Sequence, residues 1–139
     1  MIANWPPELP RPNRDNYQHS VGDGRLKRNN EIGPPGYRGR SSAVPDFVSM
    51  TLDLSRNELA RFWRFYTEEI TRGSKQFYMP DPTTSGWKML TSDGRVLTDH
   101  RGRPLLIEKT WRCRFGDTLP NETIRGNRFL LNFEIVVMP

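Results

Sequence analysis

The sequence predicts an α+β domain built mainly of antiparallel sheet with one helix, and three observations carry that prediction. Val48, Met50, Leu52 and Leu54 alternate with Ser49, Thr51 and Asp53, the period-two pattern of a half-buried strand. Ser55-Arg56-Asn57-Glu58 places Ser at an N-cap position and Glu three residues on, a capping box that opens a helix. Toward the C-terminus, Leu105, Ile107, Trp111, Cys113 and Phe115, and then Phe129, Leu131, Phe133, Ile135 and Val137, alternate with polar residues along two long runs.

A chain of 139 residues is short for more than one domain, and 35% hydrophobic with 27% charged residues belongs to the soluble globular class. No apolar run approaches the length of about 18 residues that a membrane helix needs, and Met1 to Pro7 lacks a signal-peptide pattern. The expectation is a protein with no membrane association.

Residues 1–45 hold seven prolines and five glycines, and no packed core is expected from them alone. This stretch reads as an extended arm, either disordered or ordered by lying on a neighbouring subunit. Trp5, Tyr17, Leu26, Ile32 and Tyr37 favour docking, because a solvating tail has no use for such anchors. The folded body is then expected over residues 46–139.

The helix is expected over 55–72. Leu59, Phe62, Phe65 or Tyr66, and Ile70 recur at helical spacing, and Gly73 offers a left-handed cap. Phe62, Trp63, Phe65 and Tyr66 span too wide an arc for one narrow contact, so Trp63 and Tyr66 either straddle core and interface or simply fill the core. Gln76 to Met79 reads as a short strand ended by Pro80-Asp81-Pro82, and Trp87–Leu90 and Arg95–Leu97 flank an Asp93-Gly94 turn as a hairpin. Gly116 to Asn127 reads as a long polar loop between the last two strands, and no internal repeat is evident.

Most reaction chemistry lacks its residues. Cys113 is the single cysteine and falls at an inward strand position, where a small buried hydrophobe is its natural role. His19 and His100 are far apart, so neither a histidine metal site nor a nucleophile with its base is expected. Asp81, Asp93 and Asp99 sit among Pro, Gly, Ser and Thr without calcium-loop spacing and read as turn formers. Neither Gly22-Asp23-Gly24 nor Thr84-Ser85-Gly86-Trp87-Lys88 has the spacing of a phosphate loop. The expectation is a protein that is not an enzyme and has no cofactor and no metal.

The net charge of +5 comes with 17 Arg against 4 Lys, and Arg suits planar pairing at macromolecular interfaces. No DNA-reading motif is present, so any contact with DNA is expected to be nonspecific and directed at the backbone.

The ordered series Gly33-Pro34-Pro35-Gly36-Tyr37-Arg38-Gly39-Arg40, Val48 to Ser55, Glu58 to Tyr66, Gly73-Ser74-Lys75-Gln76-Phe77, Met79-Pro80-Asp81-Pro82 and Arg128 to Met138 resembles the small minor tail proteins of long-tailed bacteriophages. That group includes the lambda-type minor tail protein M and related prophage tail proteins. The sequence departs from the series in its Pro-rich N-terminus and around Leu90 to Pro104.

The resemblance implies a tail-tube-like β-sandwich with one flanking helix, assembled as a hexameric ring at the distal tail tube or baseplate of the virion, after synthesis in the host cytoplasm. Its partners would be the tail tube protein, hub or baseplate proteins and the tape measure protein, with transient contact to DNA. Trp5, Tyr17, Ile32, Tyr37, Trp63 and Tyr66 are the candidate subunit-interface residues. Arg112, Arg114, Arg125 and Arg128 are the candidates for facing the channel or an acidic partner. Two alternatives stay open: a neck protein (connector, stopper or tail terminator) and a nonspecific DNA-binding protein.

Overall fold

The computed structural model describes residues 2–139. Among them the strands are β1 (Ala3–Asn4), β2 (Gln18–Ser20), β3 (Arg25–Arg28), β4 (Gly36–Gly39), β5 (Asp46–Leu54), β6 (Phe77–Pro80), β7 (Thr110–Phe115), β8 (Asn121–Arg125) and β9 (Arg128–Val137). The helix α1 (Arg56–Arg64) follows β5. The α+β, mainly antiparallel architecture with one flanking helix is as expected. Its strands form one continuous seven-stranded sheet, β1-β6-β7-β9-β5-β2 with β8 also on β9, and a separate β3-β4 ribbon.

The centre of the sheet follows from period-two patterning. β5 and β9 pair antiparallel from Asp46↔Val137 to Leu54↔Phe129, so Val48, Met50 and Leu52 stand opposite Ile135, Phe133 and Leu131. All six are buried on one face, and β7 and β6 extend that face with Trp111, Cys113, Phe115, Phe77 and Met79. A one-residue slip would turn each of these side chains to solvent, which is why the register is strongly specified.

Ser55 and Glu58 form the expected capping box: Ser55 Oγ accepts from the Glu58 N–H at 3.4 Å and Glu58 Oε1 accepts from the Ser55 N–H at 2.9 Å. The helix buries Leu59 and Phe62 and then widens into a π-helical turn, Phe65–Glu69, where the Ile70 N–H donates to the Phe65 carbonyl. It ends short of the expected residue 72. Phe65 and Ile70 are five apart, which in a straight α-helix leaves them about 140° apart around the axis. The wider turn brings both into the core, where both are fully buried. Thr71, Arg72 and Gly73 then reverse the chain with φ of 51°, 55° and 83°.

The N-terminal segment differs from the expected arm. β1 pairs in parallel with β6 at one edge of the sheet, and β2 pairs with β5 at the other. Between them Trp5 and Leu9 are buried in the core, and the Asn13 N–H donates to the Thr51 carbonyl at 2.8 Å. Residues 3–20 are therefore part of the body, which does not begin at Asp46. A sheet with two open edges and one uncovered apolar face is completed by its own N-terminus, which covers both edges and plugs the face with an indole. Only residues beyond 20 project, as the β3-β4 ribbon.

Two further expectations change. Gly116 to Asn127 is not a loop throughout, because β8 pairs with β9 from Asn121↔Asn132 to Arg125↔Arg128 in a hairpin. All five β8 residues are exposed, so neither face left an apolar alternation in the sequence. The strand expected from Leu105 begins only at Thr110, and Leu105 and Ile107 belong to the module described next.

Candidate functional site

Contrary to expectation, the chain contains an internal repeat. Residues 83–106 form three consecutive eight-residue units with Gly86, Gly94 and Gly102 at the fourth position of each. These glycines take φ of +87°, +84° and +78°, the left-handed region that side chains disfavour. Three residues after each glycine, Met89, Leu97 and Leu105 close a ring of backbone hydrogen bonds. Leu97 N–H donates to the Met89 carbonyl at 2.9 Å, Leu105 N–H to Leu97 at 2.9 Å, and Met89 N–H to Leu105 at 2.8 Å. The flanking bridges repeat the same offsets, Leu90↔Val96, Thr98↔Pro104 and, closing the circle, Lys88↔Leu106. The module is a pseudo-threefold pinwheel. A glycine every eight residues was the legible signal for it.

Side chains lock its turns. Thr91 Oγ1 accepts from the Arg95 N–H, and Asp99 Oδ1 accepts from the N–H groups of Arg101 and Arg103. Those bonds, led by the one from Arg103, hold the Asp99 carboxyl below the usual range. At the root, the Gly86 N–H donates to Ile107 and the Ile107 N–H to Trp87, both at 2.7 Å, and the Asp81 N–H donates to Lys109 at 2.9 Å. Asp81 is buried there and accepts from the Thr83 N–H and hydroxyl at 2.9 and 2.8 Å, with Lys109 Nζ at 3.4 Å. Burial pushes its carboxyl up, but Thr83 and Lys109 outweigh burial and hold it below the usual range.

The pinwheel has backbone closure but no core of its own. Met89, Leu97 and Leu105, at equivalent positions, are 37%, 38% and 41% exposed, and Leu90 and Leu106 are 58% and 56% exposed. Apolar side chains left this open at equivalent positions make the pinwheel the candidate interaction surface. Beside its root lies a cleft of about 800 Å³ whose lining includes Arg14, Tyr17, Trp87 and Lys88. Arg11 closes part of it by donating to the carbonyls of Pro82 and Ser85 at 3.2 and 2.6 Å.

The candidate interface residues do not come together. Trp5, expected on a neighbour, sits in its own core at 8% exposure, touching Phe62, Phe65, Phe77 and Phe133. Tyr17 lies half-buried in the cleft; burial first, and the Asp81 charge second, push its hydroxyl above the usual phenol range. Trp63 and Tyr66 are half-buried and largely fill the core: Tyr66 meets Phe62 and Phe115, while Trp63 donates to Glu122 Oε2 on β8 at 3.4 Å. Ile32 and Tyr37 belong to the ribbon, Ile32 being 93% exposed near its tip. Tyr37 lies under Arg25, 4.2 Å from guanidinium carbon to ring centre.

The candidate channel-facing arginines are dispersed. Arg112 and Arg114 are exposed on the outer face of β7, and Arg125 is exposed at the β8-β9 turn. Arg128 is not free to face a partner in the manner expected, because it pairs with Asp53 at 2.8 Å and approaches Glu58 at 3.8 Å. A further basic group, Arg25, Lys27, Arg28 and Arg38, stands exposed on the ribbon. Cys113 is fully buried, and burial pushes its thiol up to about 12.

No protein-family model matches the chain, and no curated protein matches it.

Proposed function

We propose that this protein is a structural component of a bacteriophage virion, a minor tail protein that forms a hexameric ring at the distal tail tube or baseplate. Its work is assembly and the passage of DNA, without a catalytic step, cofactor or metal. Its neighbours are further copies of itself, the tail tube protein, hub or baseplate proteins and the tape measure protein. The order of sequence features that resembles the minor tail proteins supports this reading.

The observation that carries it is the pinwheel, a backbone-closed module whose Leu90 and Leu106 are more than half exposed. A closed ring of identical copies requires two dissimilar surfaces on each copy. The pinwheel supplies one, and the outer face of the sheet, where Phe47 and Tyr78 stand exposed, supplies another.

Gold-labelled antibodies applied to intact phage particles test the proposal. Label at the tail tip is the expected result. Label at the head-tail junction replaces it with a neck role, and particles without label overturn a virion role altogether.

A further inference from the structure

We infer that the β3-β4 ribbon is a binding finger for double-stranded DNA, gripping the phosphate backbone without reading sequence. The inference goes beyond the tail reading and does not depend on it, since it concerns what this element binds in isolation from any particle.

Charge is the first reason. Residues 24–40 carry Arg25, Lys27, Arg28, Arg38 and Arg40 against Glu31, a net of +4 out of the chain's +5, so the rest of the protein is close to neutral. Arg25 is taken up by Asp23, with Nε to Oδ1 at 2.9 Å. Among the described residues, Lys27, Arg28, Arg38 and Arg40 have no carboxylate at ion-pair distance.

Geometry is the second. The register Arg25↔Gly39, Leu26↔Arg38, Lys27↔Tyr37 and Arg28↔Gly36, with side chains alternating along each strand, puts Arg25 and Lys27 on one face and Arg28 and Arg38 on the other. Leu26 shares the face of Arg28 and Arg38, and Tyr37 that of Arg25 and Lys27, so neither face is the wholly apolar one that the core of a protein interface favours. Cations on both faces suit an element flanked by phosphates on both sides, and a two-stranded ribbon fits the major groove, about 12 Å wide.

Mounting is the third. Every residue of both strands is exposed, so the ribbon stands clear of the body. Its base is nonetheless held, since the N–H groups of Arg40 and Ser41 both donate to the Gly24 carbonyl at 2.9 and 3.0 Å. Gly22 and Gly24 lie flush against Val44, Pro45 and Ser41, leaving no room there for a Cβ. The finger projects from a firm neck.

The test is fluorescence anisotropy of a mixed-sequence duplex of about 30 base pairs with the full chain, titrated between about 50 and 200 mM salt. Four phosphate contacts predict a log-log salt slope of about −3.6, which is a loss of affinity of about 150-fold across that range. Combined substitution Lys27→Ala, Arg28→Ala, Arg38→Ala and Arg40→Ala should remove most of the slope and leave the melting temperature unchanged. The charge-conserving set Arg28→Lys, Arg38→Lys and Arg40→Lys should retain the slope. Absence of duplex binding by the unaltered protein at the lowest salt overturns the inference, as does an unchanged slope in the alanine variant. Equal loss on Arg112→Ala with Arg114→Ala would assign the binding to β7 instead, and equal affinity for polyglutamate would show an acidic-protein surface rather than a DNA finger.

Discussion

The indole of Trp5 lies against the ring of Phe77, centroids 5.9 Å apart and planes inclined by 28°. The parallel pairing of β1 with β6 sets this contact, because Ala3 stands opposite Phe77 and the Trp5 N–H donates to the Tyr78 carbonyl at 2.7 Å. Trp5→Ala leaves a cavity among Phe62, Phe65 and Phe133 and should cost about 3–5 kcal/mol. Urea unfolding followed by circular dichroism measures it, and an unaltered midpoint would show that the N-terminal segment does not complete the core.

Gly94 takes φ of +84°, and a Cβ added there would meet nothing within 4 Å, so a methyl group brings backbone strain but no clash. Gly94→Ala should therefore destabilise the pinwheel by about 1–2 kcal/mol. Faster amide exchange at Met89, Leu97 and Leu105, with β5 and β9 unaffected, is the expected readout. Gly36→Ala, which likewise meets nothing but lacks the positive φ, serves as the neutral control.

Asp81 links stability to pH. Its carboxyl is held below the unfolded value in the native state, so its contribution is fully present above the unfolded pKa, about 3.9. That contribution is lost as pH falls through the lower native value. The melting temperature of the unaltered protein should therefore drop on acidification below about pH 4, and Asp81→Asn should flatten this part of the decline. At neutral pH, Asp81→Ala should cost roughly 2 kcal/mol, the worth of its charged hydrogen bonds to Thr83.

Cys113 should resist thiol reagents in the native protein. With its thiol pushed up to about 12 and its side chain fully buried, almost no accessible thiolate exists at about pH 8. Labelling should appear only in denaturant, at the rate of global unfolding. Rapid labelling of native protein would mean that β7 opens locally.

Much of the central fold was legible because local patterns record burial directly. The alternation of Val48, Met50, Leu52 and Leu54 marked β5, which starts two residues earlier at Asp46, and Phe129 to Val137 marked β9. Ser55 and Glu58 marked the helix start, since both halves of a capping box lie within one turn. The helix end was harder to read, because a π-helical turn lets apolar residues five apart share a face and so departs from the ordinary helical period.

The candidate site was less legible. Trp5 looks the same in sequence whether it anchors on a neighbour or on its own Phe77, and β8 carries no alternation because solvent lies on both sides. The pinwheel left glycines at a fixed spacing, yet its closure through Lys88↔Leu106 is a backbone event that spans the whole module. By itself the sequence determined which residues are apolar on one face of each central strand and where the helix begins, for these depend on neighbours a few positions away. Only the tertiary structure decided which edges the N-terminus covers, that Arg128 belongs to Asp53, and that Lys27, Arg28 and Arg38 stand on an exposed ribbon. Those outcomes depend on backbone hydrogen bonds and long-range charge pairing, which any residue type can join and which leave no periodic mark on the chain.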